Sequence, residues 1–229
     1  MATSGTTAFD LDIDDIIQEA YERCGVRTNS GYDLKSARRS LNILFSEWGN
    51  RGVHLWKVEL KTQELTAGTA TYDAPTNAND ILEAYISTTT SQTATTNDVS
   101  LTKISRSEYA ALPNKGSQGQ PSQYYVDRQT TPTITLYQTP DASTYKCVKY
   151  YYLKRIEDAG SYSNEADIVF RFIPCMVAGL AYYLSLKRNP QLVQQNKLLY
   201  EDELQRALTE DGQRTSVYIT PQSYFPQGA

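Results

Sequence analysis

The sequence predicts an α+β fold: a four-helix bundle formed by N- and C-terminal helical hairpins, a β-rich insertion between them and an extended C-terminal arm. Three observations predict it. Apolar residues recur at helical spacing near both ends, eighteen of the 25 threonines fall between Thr62 and Thr144, and the last seventeen residues carry one charge, Arg214. The expected boundaries are 1–52 and 163–212 for the helical lobe, 53–162 for the β-rich lobe and 213–229 for the arm.

The first helix is predicted over Asp12–Cys24, where Ile13, Ile16, Ile17, Ala20 and Cys24 share a face and Gly25 supplies the stop. Asp12, Asp14 and Asp15 crowd its first turn, where the helix dipole favours anions. A second helix spans Asp33–Arg51 on the stripe Leu34, Ala37, Leu41, Leu44, Phe45 and Trp48, with Lys35, Arg38, Arg39 and Glu47 off it. The turn Asn29-Ser30-Gly31 makes the two helices antiparallel neighbours.

From Leu55 to Tyr152 the pattern alternates with period two, and Thr and Tyr suit a half-buried sheet. Strands are predicted at Leu55–Leu65, Ala70–Asp73, Ile81–Thr89, Gln123–Asp127, Thr133–Gln138 and Tyr145–Lys154. Turns at Thr66-Ala67-Gly68, Asp73-Ala74-Pro75 and Pro140-Asp141 separate several of them. The polar run Thr88–Ser100 reads as a hairpin tip or loop. A short helix interrupts the strands, started by the capping box Ser105-x-x-Glu108 and ended by Pro113. Helical period returns over Phe172–Lys187, with Pro174 tolerable only in the first turn and Ala178 and Gly179 small enough for close approach. After Asn189-Pro190 a last amphipathic helix covers Leu192–Thr209.

Composition narrows the function. The hydrophobic share of 40% includes 18 tyrosines, so the aliphatic core is thin for 229 residues. Such a chain folds and leaves burial for neighbours to complete. No apolar run approaches the length a bilayer demands, and no secretory leader is expected at Met1–Asp10. A net charge of −4 argues against nucleic acid as the main partner. Cys24, Cys147 and Cys175, scattered and odd in number, read as reduced core residues of a cytoplasm-made protein.

No catalytic set is legible. The one histidine, His54, sits beside Leu55 and Trp56, where packing or capping is the simpler role. There is no Gly-x-Ser-x-Gly elbow, no phosphate-binding Gly-x4-Gly-Lys loop and no Gly-x-Gly-x-x-Gly turn. Asp10-x-Asp12-x-Asp14 fails as a calcium loop, since Asp15 stands where glycine is required and Tyr21 where glutamate is. A glycosidase-type carboxylate pair drawn from Glu22, Glu47, Glu157 and Asp158 stays formally open. No catalytic, cofactor-binding or metal residue is therefore expected. Tyrosine instead argues for assembly: Tyr150-Tyr151-Tyr152 places aromatics on both faces of one strand, and the tail after Gly212 carries further anchors.

A resemblance accompanies these readings. The stretch Arg171-Phe172-Ile173-Pro174-x3-Ala178-Gly179-Leu180-Ala181-Tyr182-Tyr183-Leu184, then Leu199-Tyr200-Glu201-x-Glu203-Leu204-x2-Ala207 and Asp211-x2-Arg214, resembles head-to-tail adaptors of short-tailed bacteriophages. So do Gly119-x-Pro121-x2-Tyr124, Ile134-x-Leu136-Tyr137-x2-Pro140-Asp141, and Ala20-x4-Gly25 ahead of Leu41-Asn42-x5-Trp48. The tail tubular protein A group and the tail accessory adaptors share this plan.

The resemblance implies a virion protein of the neck, made in the bacterial host cytoplasm. It implies a self-assembled ring, typically of twelve copies, between portal protein and tail nozzle protein, passing DNA without specific binding and using no cofactor or membrane. Carried onto this chain, the portal-docking arm is Thr215, Val217, Tyr218, Ile219, Pro221, Tyr224 and Phe225. The nozzle-facing loop includes Thr89, Ser91, Thr93, Thr95 and Asn97. Two alternatives stand beside it: a peptidoglycan-cleaving virion enzyme acting during entry, and another neck or tail-completion ring protein.

Overall fold

A computed structural model describes residue 5 and residues 11–27, 31–51, 55–90, 98–161 and 163–211. It opens with the helices α1 (Ile13–Arg23) and α2 (Gly31–Arg51). Strands β1 (Val58–Glu64), β2 (Thr71–Asp73), β3 (Ala78–Ser87), β4 (Val99–Ser100) and β5 (Thr102–Ile104) follow, then the short helix α3 (Arg106–Ala111). Next come β6 (Gln118–Gly119), β7 (Gln123–Asp127), β8 (Thr133–Tyr137), β9 (Thr139–Pro140) and β10 (Cys147–Lys154). The helices α4 (Ile173–Arg188) and α5 (Val193–Asp211) close the described chain.

The four long helices share one hydrophobic cluster. The predicted stripe of α2 forms part of it: Ala37, Leu41, Leu44, Phe45 and Trp48 are buried together with Ile13, Ile16, Ile17 and Ala20 of α1. Helix α4 touches each of the other three. The Cys24 thiol, just past α1, donates to the Ala181 carbonyl at 3.0 Å, and Tyr183 donates to Glu47 of α2 at 2.8 Å. The Tyr182 ring stacks on that of Tyr200 in α5, 6.2 Å between centroids. Pro174 falls in the first turn of α4, as its missing N–H requires.

Gly179 explains how three helices meet so closely. A Cβ there would lie 2.9 Å from both Leu44 methyl carbons and from Cε2 of Tyr200. Gly179→Val is therefore expected to cost about 1–3 kcal/mol by overpacking, despite the better helix propensity of the new residue. A urea unfolding midpoint unchanged from the natural chain would show that α2 and α5 yield there.

The β-rich middle builds two four-stranded sheets. One is antiparallel in the order β1-β10-β3-β4; the other runs β2-β8-β7-β5, and β6 pairs with β9. Inward-facing Val148, Tyr150 and Tyr152 of β10 pack with Ile81 and Ile86 of β3 and with Tyr124, Ile134 and Leu136 of the second sheet. This is the period-two pattern of a strand with one face in a core.

Three local outcomes depart from the sequence expectations. The stretch predicted as strand from Leu55 begins as a 3-10 turn, Leu55–Lys57, because Trp56 packs on Phe172 of the helical cluster at 4.7 Å between centroids. Strand β3 starts at Ala78, three residues before the predicted Ile81, and is matched to β10 through two register shifts. The third is β5, which runs parallel to β7. Parallel strands need a crossover, and α3 lies on it. Its capping box forms as predicted: Glu108 N–H donates to Ser105 Oγ at 3.2 Å, and Ser105 N–H to Glu108 Oε2 at 2.7 Å. Leu112 is extended, the conformation that Pro113 imposes on its predecessor.

Candidate assembly surfaces

The predicted arm residues Thr215, Val217, Tyr218, Ile219, Pro221, Tyr224 and Phe225 lie outside the described residues; what the structure describes is their root. Helix α5 ends at Asp211, whose carboxylate pairs with Arg171 ahead of α4, Nε to Oδ1 at 2.9 Å. The Asp211 side chain is 4% exposed, so this pair anchors the last turn firmly. The Arg171 guanidinium also lies 6.0 Å from the ring centroids of Trp56 and Phe172. A groove opens at this point, lined by Trp56, Val58, Leu82, Tyr151, Arg171 and Asp211. Tyr151 is the outward member of the tyrosine run: Tyr150 and Tyr152 are in the sandwich core, while Tyr151 and Leu82 stand about 40% exposed on the other face. The buried Trp56 Nε1 has no hydrogen-bond partner among the described residues.

Of the predicted loop residues, Ser91, Thr93, Thr95 and Asn97 lie outside the described residues, and Thr89 is half-buried. Its carbonyl accepts from the Cys147 thiol at 2.9 Å. The ends of the loop are tied together: β3 and β4 pair antiparallel through Tyr85–Ser100 and Ile86–Val99. Buried Lys149 of β10, in the same sheet, reaches Asp98 at 3.4 Å. Run 88–98 therefore connects two hydrogen-bonded strands at one end of the sheet.

The chemistry of the interior is that of packing. Cys24, Cys147 and Cys175 are buried and unbridged. Burial pushes the Cys24 thiol up to about 11 and the Cys175 thiol up to about 12, which keeps both in the weakly nucleophilic protonated form. Of the four carboxylates considered for a catalytic pair, Glu47 accepts from Tyr183 and pairs with Arg51, Glu157 pairs with Lys154, and Glu22 is exposed on α1. Asp158 lines a cleft with Asn42, Asn79, Lys154 and Arg155. His54 is outside the described residues. Among the described residues no three His, Cys, Asp or Glu side chains gather as a metal site, and no helix is long and apolar enough to cross a membrane.

The outer faces of the helices also carry exposed apolar residues, outside the stripes that the helical spacing marks. Tyr32 and Ile43 of α2 are 66% and 53% exposed, and Leu198 of α5 is 63% exposed. The signal was present: Ile43 falls off the buried stripe of an otherwise amphipathic helix. Arg51, the last residue of α2, grips Glu201 in the middle of α5 through two bonds of 3.0 and 3.1 Å.

That grip holds the Glu201 carboxyl below its ordinary value. A depressed carboxyl stabilises the fold above the unfolded value, about 4.3, and the contribution is lost as pH falls through the folded one. Both partners are more than a third exposed, so solvent screening limits the effect to under about 1 kcal/mol. Glu201→Gln is expected to lower the urea midpoint slightly at neutral pH and to match the natural chain once the pH has fallen below the folded value. A gap that persists in acid would mean that Glu201 acts by packing.

A family model described as SU10 adaptor protein matches residues 5–223. No curated protein matches the chain.

Proposed function

The chain belongs to the SU10 adaptor protein family, structural adaptors of bacteriophage particles, and on that footing we propose that it is the head-to-tail connector of a phage virion. It sits as a ring beneath the portal, joins it to the tail nozzle and lets DNA pass through its lumen. The observation that carries this is the span of the family match, which crosses both hydrophobic clusters and continues to residue 223. It thus includes most of the segment after α5, whose sole charge from residue 213 on is Arg214.

In this reading the helical lobe, its four long helices acting as a bundle, forms the packed ring, dodecameric as the adaptor resemblance implies. The β lobe presents run 88–98 to the nozzle, and the segment after Asp211 extends onto the portal. Identical wedges close a ring when the rotation between them closes. Docking of the arm on the portal sets the order in which the parts assemble. The net charge of −4 suits a channel that DNA slides through without adhering.

The test is solution mass by light scattering, for the protein alone and mixed with portal protein from the same genome. The expected result is a defined large complex of fixed ratio with the portal. A chain that ignores portal at every ratio overturns the connector assignment.

A further inference from the structure

We propose that neighbouring copies meet head to tail through the outer stripe of α2 on one copy and the groove between α1 and α4 on the next. The inference rests on the connector reading and specifies the contact that a ring needs.

The donor surface is one exposed helical stripe: Tyr32, Lys35, Arg39 and Ile43 follow one another at spacings of three and four. Neither Lys35 nor Arg39 has an ion-pair partner among the described residues, so the stripe is two apolar knobs framing two uncompensated cations. The receiving surface is a groove lined by Leu11, Ile173 and Pro174 and, along α1, by Asp15, Glu19 and Arg23; Glu19 pairs with Arg23 at 2.8 Å, and Asp15 has no ion-pair partner among the described residues. Its helix is acidic throughout, with Asp14, Asp15, Glu19 and Glu22 against Arg23 alone.

Position makes the two surfaces a head and a tail. Tyr21 of α1 faces α2, donating to the Asp33 carbonyl at 3.0 Å. At roughly 100° per residue, Ile16, Glu19 and Arg23 lie on the opposite side of α1. The groove therefore opens away from α2, while the α2 stripe faces outward from the shared core. A two-fold dimer through either surface would oppose cations to cations or carboxylates to carboxylates, which costs several kcal/mol at an interface. The heterologous pairing brings opposite charges together and covers Tyr32 and Ile43 with an apolar floor. Such a contact repeats from copy to copy and closes only as a ring.

The experiment uses two charge-reversed full-length chains, one with Asp15→Lys and Glu19→Lys, the other with Lys35→Glu and Arg39→Glu. All four positions are exposed, so both chains fold, as circular dichroism verifies. Light scattering is read for the natural chain, each variant and their equimolar mixture, with and without portal. Each variant alone is expected to lose at least about a hundredfold in self-association. The mixture recovers the natural mass, because every reversed stripe meets a reversed groove in an alternating ring. A variant that assembles like the natural chain, or a mixture that recovers nothing, overturns this interface while leaving the connector assignment standing. A natural chain that self-associates but ignores portal sinks the connector assignment and leaves the interface readable. A natural chain that stays monomeric throughout sinks both.

Discussion

Deleting Thr215–Ala229 is expected to leave the unfolding midpoint unchanged and to abolish docking on the portal. Every described helix and strand ends at or before Asp211, and the anchor of that last turn, Arg171–Asp211, precedes the deletion. The fold keeps both its hydrophobic clusters. Docking loses Val217, Ile219, Tyr224 and Phe225. Fully burying one such side chain is worth about 1.5–3 kcal/mol, against about 0.5–1.5 kcal/mol for ordering it. Over four anchors the mid-range surplus of about 5 kcal/mol corresponds to roughly a few thousandfold in affinity. The measurement is co-sedimentation with portal, run beside urea unfolding of both chains. Undiminished docking removes the arm from the function, and a lowered midpoint makes it part of the fold instead.

Much of the helical architecture was legible because one physical signal, burial along a 3.6-residue period, acts locally. The stripe ending in Trp48 is buried as read, Gly25 adopts the positive φ of +67° that stops α1, and Gly179 sits where two neighbouring helices touch it. The β region was legible as strands but less so as pairings. Parallel β5 has three residues, all at least partly exposed, and its partner lies beyond a helix, so no local pattern announces it. Trp56 was read as strand since its neighbours alternate, and only the distant Phe172 shows that it belongs with the helices.

The assembly surfaces divide in the same way. The tail drew notice through its lack of charge, a compositional signal. The α2 stripe did not, because Lys35 and Arg39 look like any solvated helix face until the acidic groove across α1 is seen in space. Tyr151 shows both sides: the run of three tyrosines predicted two covered faces, and the outer one meets a groove at the end of α5.

The largest loss of stability is expected from Trp48→Ala. Trp48 is fully buried, with ring contacts to Phe45 at 6.1 Å and Phe172 at 5.6 Å, and its Nε1 donates to the Tyr200 hydroxyl at 3.0 Å. It therefore ties α2 to α5 and to the turn that leads into α4. Truncating a buried Trp to Ala costs about 3–5 kcal/mol, a large part of the roughly 5–15 kcal/mol that holds a domain together. Trp48→Phe keeps most of the ring but withdraws the N–H, leaving the Tyr200 hydroxyl without that donor, and is expected to cost about 1–3 kcal/mol. Urea unfolding with an unchanged slope checks both, and equal midpoints for the two variants would mean that cavity volume is irrelevant at this site. The pair of experiments also separates folding from assembly. Trp48→Phe, measured well below its midpoint, keeps the α2 stripe, the α1–α4 groove and the arm, so it should still join the portal. The arm deletion behaves in reverse, fully stable and unable to dock. If both lost stability and docking together, the arm would be bound into the helical core and its assignment as a free docking segment would fall.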